Sequence, residues 1–468
     1  MSTPARVLSV GAAAPALRLP AAEVAKAWGR PGARNRCALC APDEDVLTLA
    51  AEAAGRALAA GGVDPAVVDG LWLGTTRPPF AEGPSHAVLA ATVGLSSHSS
   101  GALLAGSPHA GIEALLGAAD AVSAGSARTV LVVAADATVP GPGTALETRA
   151  GAGAAALVLS AEQGTAALGA RVTRTHPYLD RYRGDGESFT RDVYDARLFR
   201  EEVFLPVLGE VGAHLTPFDV RAWSLPDPDG RLGGALARRI GVGTPTSDPV
   251  HAALGDTGAA AALLGGLGAL DAAGGVALVG FGGGRATGVV VNVESSVPGA
   301  ASVPGVLAGG REASYVEALR SRGQLEPTGE AVDMAVPPGS AMFVRGAREM
   351  LGLLGGRCVD CGTVSTPPSV HPACIACGGS KFELVPLARR GVVHTFVVNQ
   401  TMPPPFVAPL PLAVVDLEDG ARVMLQAVGD GSDLKVGTEV ELVLRRYAHE
   451  RGVPVYGYKA RPRVGTAS

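Results

Sequence analysis

The sequence predicts a large layered α/β domain with two repeated halves, followed by a cysteine-rich segment and a small all-β domain. Three observations predict it. Strand-like apolar runs alternate with Ala-rich helical stretches over residues 1–295. That region matches itself twice in the same order. Beyond it, two Cys-x-x-Cys pairs precede a series of short β-strands. A chain of 468 residues is also too long for one hydrophobic core, so two or more domains are required.

The alternation is read from runs such as Thr129-Val-Leu-Val-Val-Ala-Ala-Asp136 and Gly275-Val-Ala-Leu-Val-Gly-Phe281, whose continuous apolar character is that of buried strands. Between such runs lie helical stretches, Asp45 to Ala60 and Gly111 to Ala124 among them. Their small residues allow close packing on a sheet, and strands alternating with helices define a layered α/β domain. The repeat rests on two matches. His109 to Gly125, followed by the strand ending at Asp136, corresponds to Asp256 to Gly274, followed by the strand ending at Phe281. Val63 to Leu73 corresponds to Leu215 to Leu225, each a Pro turn leading into a strand that carries Trp. Two matches in one order predict a duplicated fold.

After Val293 the chain turns rich in Ser, Pro, Gly and Ala, the composition of a linker, with a short helix expected from Ala313 to Arg322. The predicted boundaries are 1–295 for the α/β domain, 296–345 for linker and helix, 346–384 for the cysteine segment and 385–468 for the last domain. In the last, Gly391–Val398, Leu412–Leu417, Arg422–Val428 and Glu439–Leu444 read as strands, and four or five of these suggest a closed barrel of the OB type.

Cys358-Val-Asp-Cys361 and Cys374-Ile-Ala-Cys377 are separated by twelve residues. Each Cys-x-x-Cys turn aims two thiolates at one point, and two turns complete the tetrahedron that Zn2+ prefers. Gly362 and Gly378 follow the turns, where the chain must reverse. Four thiolates leave no open coordination position, so the ion expected here is structural zinc, and the nearby His371 is surplus. Cys37-Ala-Leu-Cys40 has no second pair close by and reads as two loop thiols.

Net charge is −5 and the basic residues are scattered, which argues against nucleic-acid binding. The barrel also lacks basic runs interleaved with aromatics. The N-terminus shows no signal-peptide pattern, and Gly, Pro or charge interrupts every apolar run before membrane-spanning length. A soluble, cytoplasmic protein is expected, and no membrane partner.

Val7-Leu-Ser-Val-Gly-Ala with Glu23-Val-Ala-Lys-Ala-Trp-Gly29 resembles the opening of microbial hydroxymethylglutaryl-CoA synthases, as does Pro42-Asp-Glu-Asp-Val-Leu-Thr-Leu-Ala-Ala. Gly151-Ala-Gly-Ala-Ala-Ala-Leu-Val-Leu and Gly280-Phe-Gly-Gly-Gly resemble the Gly-rich strands of the wider thiolase and ketosynthase superfamily. Tyr178 through Thr190 is similar to the synthase insertion before the second half. The part from Ser314 to Pro462 resembles the zinc-ribbon/OB-fold proteins that accompany thiolases in acyl-CoA metabolism. The resemblance implies a duplicated thiolase-like fold fused to a ribbon and barrel. It implies an acyl thioester of coenzyme A or of an acyl carrier protein's phosphopantetheine as substrate. It also implies dimerisation, with a second copy or a ketosynthase- or thiolase-like chain, through the strand near Gly101-Ala-Leu-Leu-Ala.

The family's reactive residues do not carry over. The nucleophilic Cys, expected at the start of the helix near Gly111, falls on Pro108, with Ser107 and His109 beside it. The family's His falls on or beside Asp227, its Asn on Asp256, and the synthase Glu on Thr76. Two readings stay open. In one, Asp227, Asp256 and His109 perform Cys-independent aldol-type carbon–carbon chemistry, two close carboxylates raising one pKa, with Ser107 as nucleophile a variant of it. In the other, the domain is a non-catalytic partner that binds acyl thioesters for an active ketosynthase or thiolase, and the two Asp residues cap helices.

Overall fold

The computed structural model describes residues 4–31, 34–192, 195–325, 346–402, 406–450 and 452–463. The chain divides into two compact units, Met1–Glu326 and Pro327–Ser468. Among the described residues no helix is long and apolar enough to cross a membrane.

A nine-stranded sheet organises the first unit, in the order Val220–Ser224, Gly274–Gly282, Arg285–Val293, Ala166–Thr175, Arg6–Ala13, Ala152–Ser160, Thr129–Ala137, Gly70–Thr75, Ser100–Ala105. The duplication is visible in its pairing. Gly70–Thr75 runs parallel to Thr129–Ala137, which is antiparallel to Ala152–Ser160, itself antiparallel to Arg6–Ala13. In the other half Val220–Ser224 runs parallel to Gly274–Gly282, then Arg285–Val293 and Ala166–Thr175 follow antiparallel. Arg6 and Val7, paired with Ala167 and Ala166, join the halves. Ser100–Ala105 adds a parallel strand that the second half does not match, and it forms an edge of the sheet.

Small residues decide how closely the layers approach. The helix Val46–Gly61 buries Ala50, Ala53, Ala54 and Ala57 against the sheet, and a side chain at Gly11 would collide with the Ala53 carbonyl. Asp45 caps this helix, accepting from the Leu47 and Thr48 amides while Thr48 Oγ1 accepts from the Asp45 amide. At the centre, the helix Ala110–Ser123 meets the start of the segment that leads into the helix Ala261–Leu267. Gly111 lies against the Ala259 carbonyl so tightly that any Cβ would clash. Buried Val, Leu and Ala from both halves fill this core.

Residues 296–325 belong to this unit rather than to a free linker. Val303–Ala308 and Tyr315–Ser321 are helical, and Arg311–Glu312 pairs in parallel with Leu17–Arg18, which also pairs with Arg36–Leu39. Apolar Ala313 and Ala318 are buried against Leu17, Leu19 and Val24, which supplies the reason. Residues 326–345 lie outside the described residues.

In the second unit the helix Ala347–Leu351 leads into a three-stranded antiparallel sheet, Leu354–Cys358 between Val364–Ser365 and Phe382–Pro386. Five strands follow, ordered Arg422–Gln426, Leu410–Leu417, Arg390–Asn399, Glu439–Glu450, Val453–Pro462. A bridge between Ala427 and Ala460 brings the two ends of that sheet together, which makes it the expected small barrel.

Candidate functional site

The four ribbon cysteines converge. Their sulfur atoms all lie within 4.8 Å of one another, with Cys358 and Cys377 at 3.6 Å and Cys361 and Cys374 at 3.5 Å. Thiolates bound tetrahedrally at about 2.3 Å from one ion stand about 3.8 Å apart, so the spacing suits a single metal ion. Both turns are built alike. The Gly362 amide donates to the Cys358 carbonyl and the Gly378 amide to the Cys374 carbonyl, at 2.9 and 2.8 Å, and both glycines have left-handed φ, 77° and 75°.

Cys37, expected in a loop, instead lies in the strand Arg36–Leu39 and is buried, with its thiol pKa raised by that burial. A buried thiol held in its neutral form is a poor nucleophile. Pro108 occupies the start of the central helix, and the glycines of Gly280-Phe-Gly-Gly-Gly press on it: a Cβ on Gly282 would sit 2.9 Å from Pro108 Cδ, and one on Gly283 would sit 2.7 Å from Ser107 Cβ.

The sequence-derived acid–base residues are placed apart in their bonding. Ser107 Oγ accepts from the backbone amide of His109 at 3.2 Å, not from its ring. The His109 ring points elsewhere. Its Nε2 lies 2.8 Å from Thr287 Oγ1 and its Nδ1 3.4 Å from Glu113, which also contacts Arg285. This ring borders a cavity of about 510 Å³ lined by Leu104, Glu113, Leu116, Arg171, Thr173 and Arg285. Burial, aided by the Arg285 charge, lowers the His109 pKa to about 3, so the imidazole is neutral at ordinary pH.

Asp227 Oδ1 accepts from the Leu232 amide at 3.1 Å, at the start of the helix Leu232–Ile240. Burial raises its pKa, and the neighbouring His251 opposes that rise. Asp256 Oδ1 accepts from the Gly258 amide at 3.0 Å, and Oδ2 from Arg181 Nη1 at 2.8 Å. Arg181 is itself 5% exposed and also meets Asp192 at 3.1 Å. Burial works against the Arg181 charge, but the two carboxylates outweigh it and the pKa rises. No hydrogen bond or ion pair joins any two of His109, Asp227 and Asp256.

Sequence reasoning missed Asp136. It is fully buried, close to the C-terminal end of the central strand Thr129–Ala137. Its Oδ2 accepts from the Ala259 amide at 2.9 Å and from the Thr76 hydroxyl, and Oδ1 accepts from the Ala137 amide at 2.9 Å. Burial raises its pKa in spite of those donors. Thr76 stands where the synthase Glu was expected; it is half-buried, and its hydroxyl donates to Asp136. An acid directly after the apolar run Val130–Ala135 was the available signal.

The fold and these sites define a thiolase-like α/β domain carrying a zinc-ribbon-like, OB-type module. The model of the ChsH2 C-terminal OB-fold domain matches residues 384–445. A hydroxymethylglutaryl-CoA synthase of Aeropyrum pernix is 30% identical over 279 residues, covering 56% of this chain and 76% of the relative. A DUF35 domain-containing scaffold protein of Methanocaldococcus jannaschii is 37% identical over 124 residues, covering 25% of this chain and 86% of the relative. Among solved structures, MvaS in complex with 3-hydroxy-3-methylglutaryl coenzyme A superposes with a TM-score of 0.60 at 20% identity, covering 72% of this chain and 95% of that one. The chain belongs to the hydroxymethylglutaryl-CoA synthase family and joins to it a domain of the DUF35 scaffold family.

Proposed function

We propose that the first unit makes or breaks a carbon–carbon bond in an acyl thioester, of coenzyme A or of an acyl carrier protein, without an acyl-cysteine. The observation that carries this is the Thr76–Asp136 contact: a buried carboxylate with a raised pKa reaches the position of the family's Glu through a hydroxyl. In the cleavage direction, Asp136 takes the proton of a 3-hydroxyacyl thioester's hydroxyl through Thr76. The C2–C3 bond breaks, its electron pair becomes the thioester enolate, and a ketone or aldehyde leaves. Returning the proton to the enolate carbon gives the shorter acyl thioester, and condensation is the reverse. On this reading Asp227 and Asp256 hold the frame, and His109, neutral and bonded to Thr287, does not carry the proton.

The test is incubation of the full chain with a panel of 3-hydroxyacyl-CoA thioesters, followed by mass spectrometry for the shortened acyl-CoA. Asp136→Asn and Thr76→Val should lose roughly 100-fold or more of turnover. Unchanged turnover in Asp136→Asn refutes the assignment.

A second reading has its own support. The structural engagement of Asp227 and Asp256, with the scaffold-type second unit, favours a non-catalytic subunit that binds acyl thioesters and supports a ketosynthase or thiolase. Binding without turnover, combined with a raised rate in an added partner enzyme, is its signature. In either case we assign structural zinc to Cys358, Cys361, Cys374 and Cys377, and a homodimer or heterodimer to the edge strand Ser100–Ala105, whose middle residues are apolar and only half-buried.

A further inference from the structure

Two arginines beside the Thr76–Asp136 contact have no assigned role. Arg77 follows Thr76 directly in the chain, and its Nη1 donates to the Ser188 carbonyl at 2.8 Å. Arg183 Nη1 donates to the Glu187 carbonyl at 2.9 Å. Two guanidinium groups are thus tied to consecutive carbonyls of one turn. They are near enough that, after burial, the Arg183 charge is what lowers the Arg77 pKa.

Neither arginine has a carboxylate partner among the described residues. The acids of the same turn are engaged elsewhere. Glu187 pairs with Arg191 at 2.7 Å and accepts from the Gly184 amide at 3.0 Å, and Asp185 accepts from the Gly186 amide at 3.0 Å. Arg181, two residues away, is neutralised by Asp192 and Asp256. Like charges fixed side by side repel, and an anion between them relieves that repulsion. Each guanidinium spends one N–H on its anchoring carbonyl and keeps others in the planar fork that grips carboxylate or phosphate. Arg77 is half-buried, which strengthens such a contact relative to bulk water.

We propose that Arg77 and Arg183 clamp an oxyanion of the substrate beside Thr76, either a carboxylate on its acyl part or a phosphate of its carrier arm. The identity of the ligand as a thioester rests on the acyl-thioester reading; the clamp itself does not need Asp136 to be a base.

Binding to the full chain, measured by calorimetry without turnover, separates the sources. Butyryl-CoA carries phosphate and no acyl carboxylate, succinyl-pantetheine carries carboxylate and no phosphate, and butyryl-pantetheine carries neither. Arg77→Gln and Arg183→Gln should each weaken one of the first two by about tenfold or more and leave butyryl-pantetheine unchanged. Loss on butyryl-CoA assigns phosphate, and loss on succinyl-pantetheine assigns carboxylate. Wild-type affinity for all three in both variants overturns the clamp, as does an equal loss on butyryl-pantetheine. If the wild type binds no thioester, the acyl-thioester reading fails. The clamp is then decided by free succinate and inorganic phosphate: binding that Arg77→Gln removes upholds it, and no binding overturns it.

Discussion

Replacing Asp256 by Asn isolates one ion pair. The amide keeps an oxygen for the Gly258 N–H but cannot hold the charge of Arg181, whose side chain is 5% exposed. Breaking a buried pair by removing one partner costs about 3–5 kcal/mol. Here Asp192 still meets Arg181 at 3.1 Å and is itself 31% exposed, so the lower end, about 3 kcal/mol, applies. All three tryptophans, Trp28, Trp72 and Trp223, lie in the first unit, and their fluorescence reports its unfolding alone. With an m-value of about 3 kcal/mol per M in urea, the midpoint should fall by about 1 M. Turnover per folded molecule should persist. A variant with an unmoved midpoint and abolished turnover refutes the reasoning and returns Asp256 to the catalytic centre.

Acid should expose His109. Its folded pKa of about 3 lies below the ordinary 6.5, so the unfolded chain takes a proton that the folded one refuses. The contribution is intact above about pH 6.5 and is lost as pH falls toward 3, by up to about 4–5 kcal/mol in full. The urea midpoint of His109→Gln should therefore fall less steeply with acid than that of the wild type, and parallel pH curves would contradict this. Elemental analysis should find about one zinc per chain, and Cys374→Ser should lose it and sensitise the second unit to proteolysis; full retention with an unchanged digest counts against the site. Leu103→Lys, in the edge strand, should shift the assembly to monomer in light scattering, and an unchanged mass excludes that edge as the interface.

The duplicated architecture was legible because buried strands and Ala-rich helices leave strong local patterns, and the same patterns recur at Thr129 and Gly274. The cysteine cluster was legible because its spacing alone fixes its geometry. The acid–base site was less so. Asp136 and Thr76 are sixty residues apart, and no local pattern announces that a carboxylate from one strand has reached the end of another. Arg181 was equally hidden, since its partner Asp256 lies 75 residues away. Arg311–Glu312 looked like linker because a two-residue pairing with Leu17–Arg18 has too short a run to show a period.

The approach of Gly111 to the Ala259 carbonyl has a practical meaning for redesign. The two halves meet there backbone to backbone, and beside that contact Pro108 and Ser107 pack on Gly282 and Gly283 while His109 bonds Thr287. A mutant library at Ser107, Pro108 and His109 can vary the chemistry presented at the helix start within what Gly282, Gly283 and Thr287 accommodate, while Gly111 stays fixed because it admits no side chain. For an engineer the joint at Gly111 is the fixed point, and every new reactive group at 107 to 109 has to fit the packing of the facing strands.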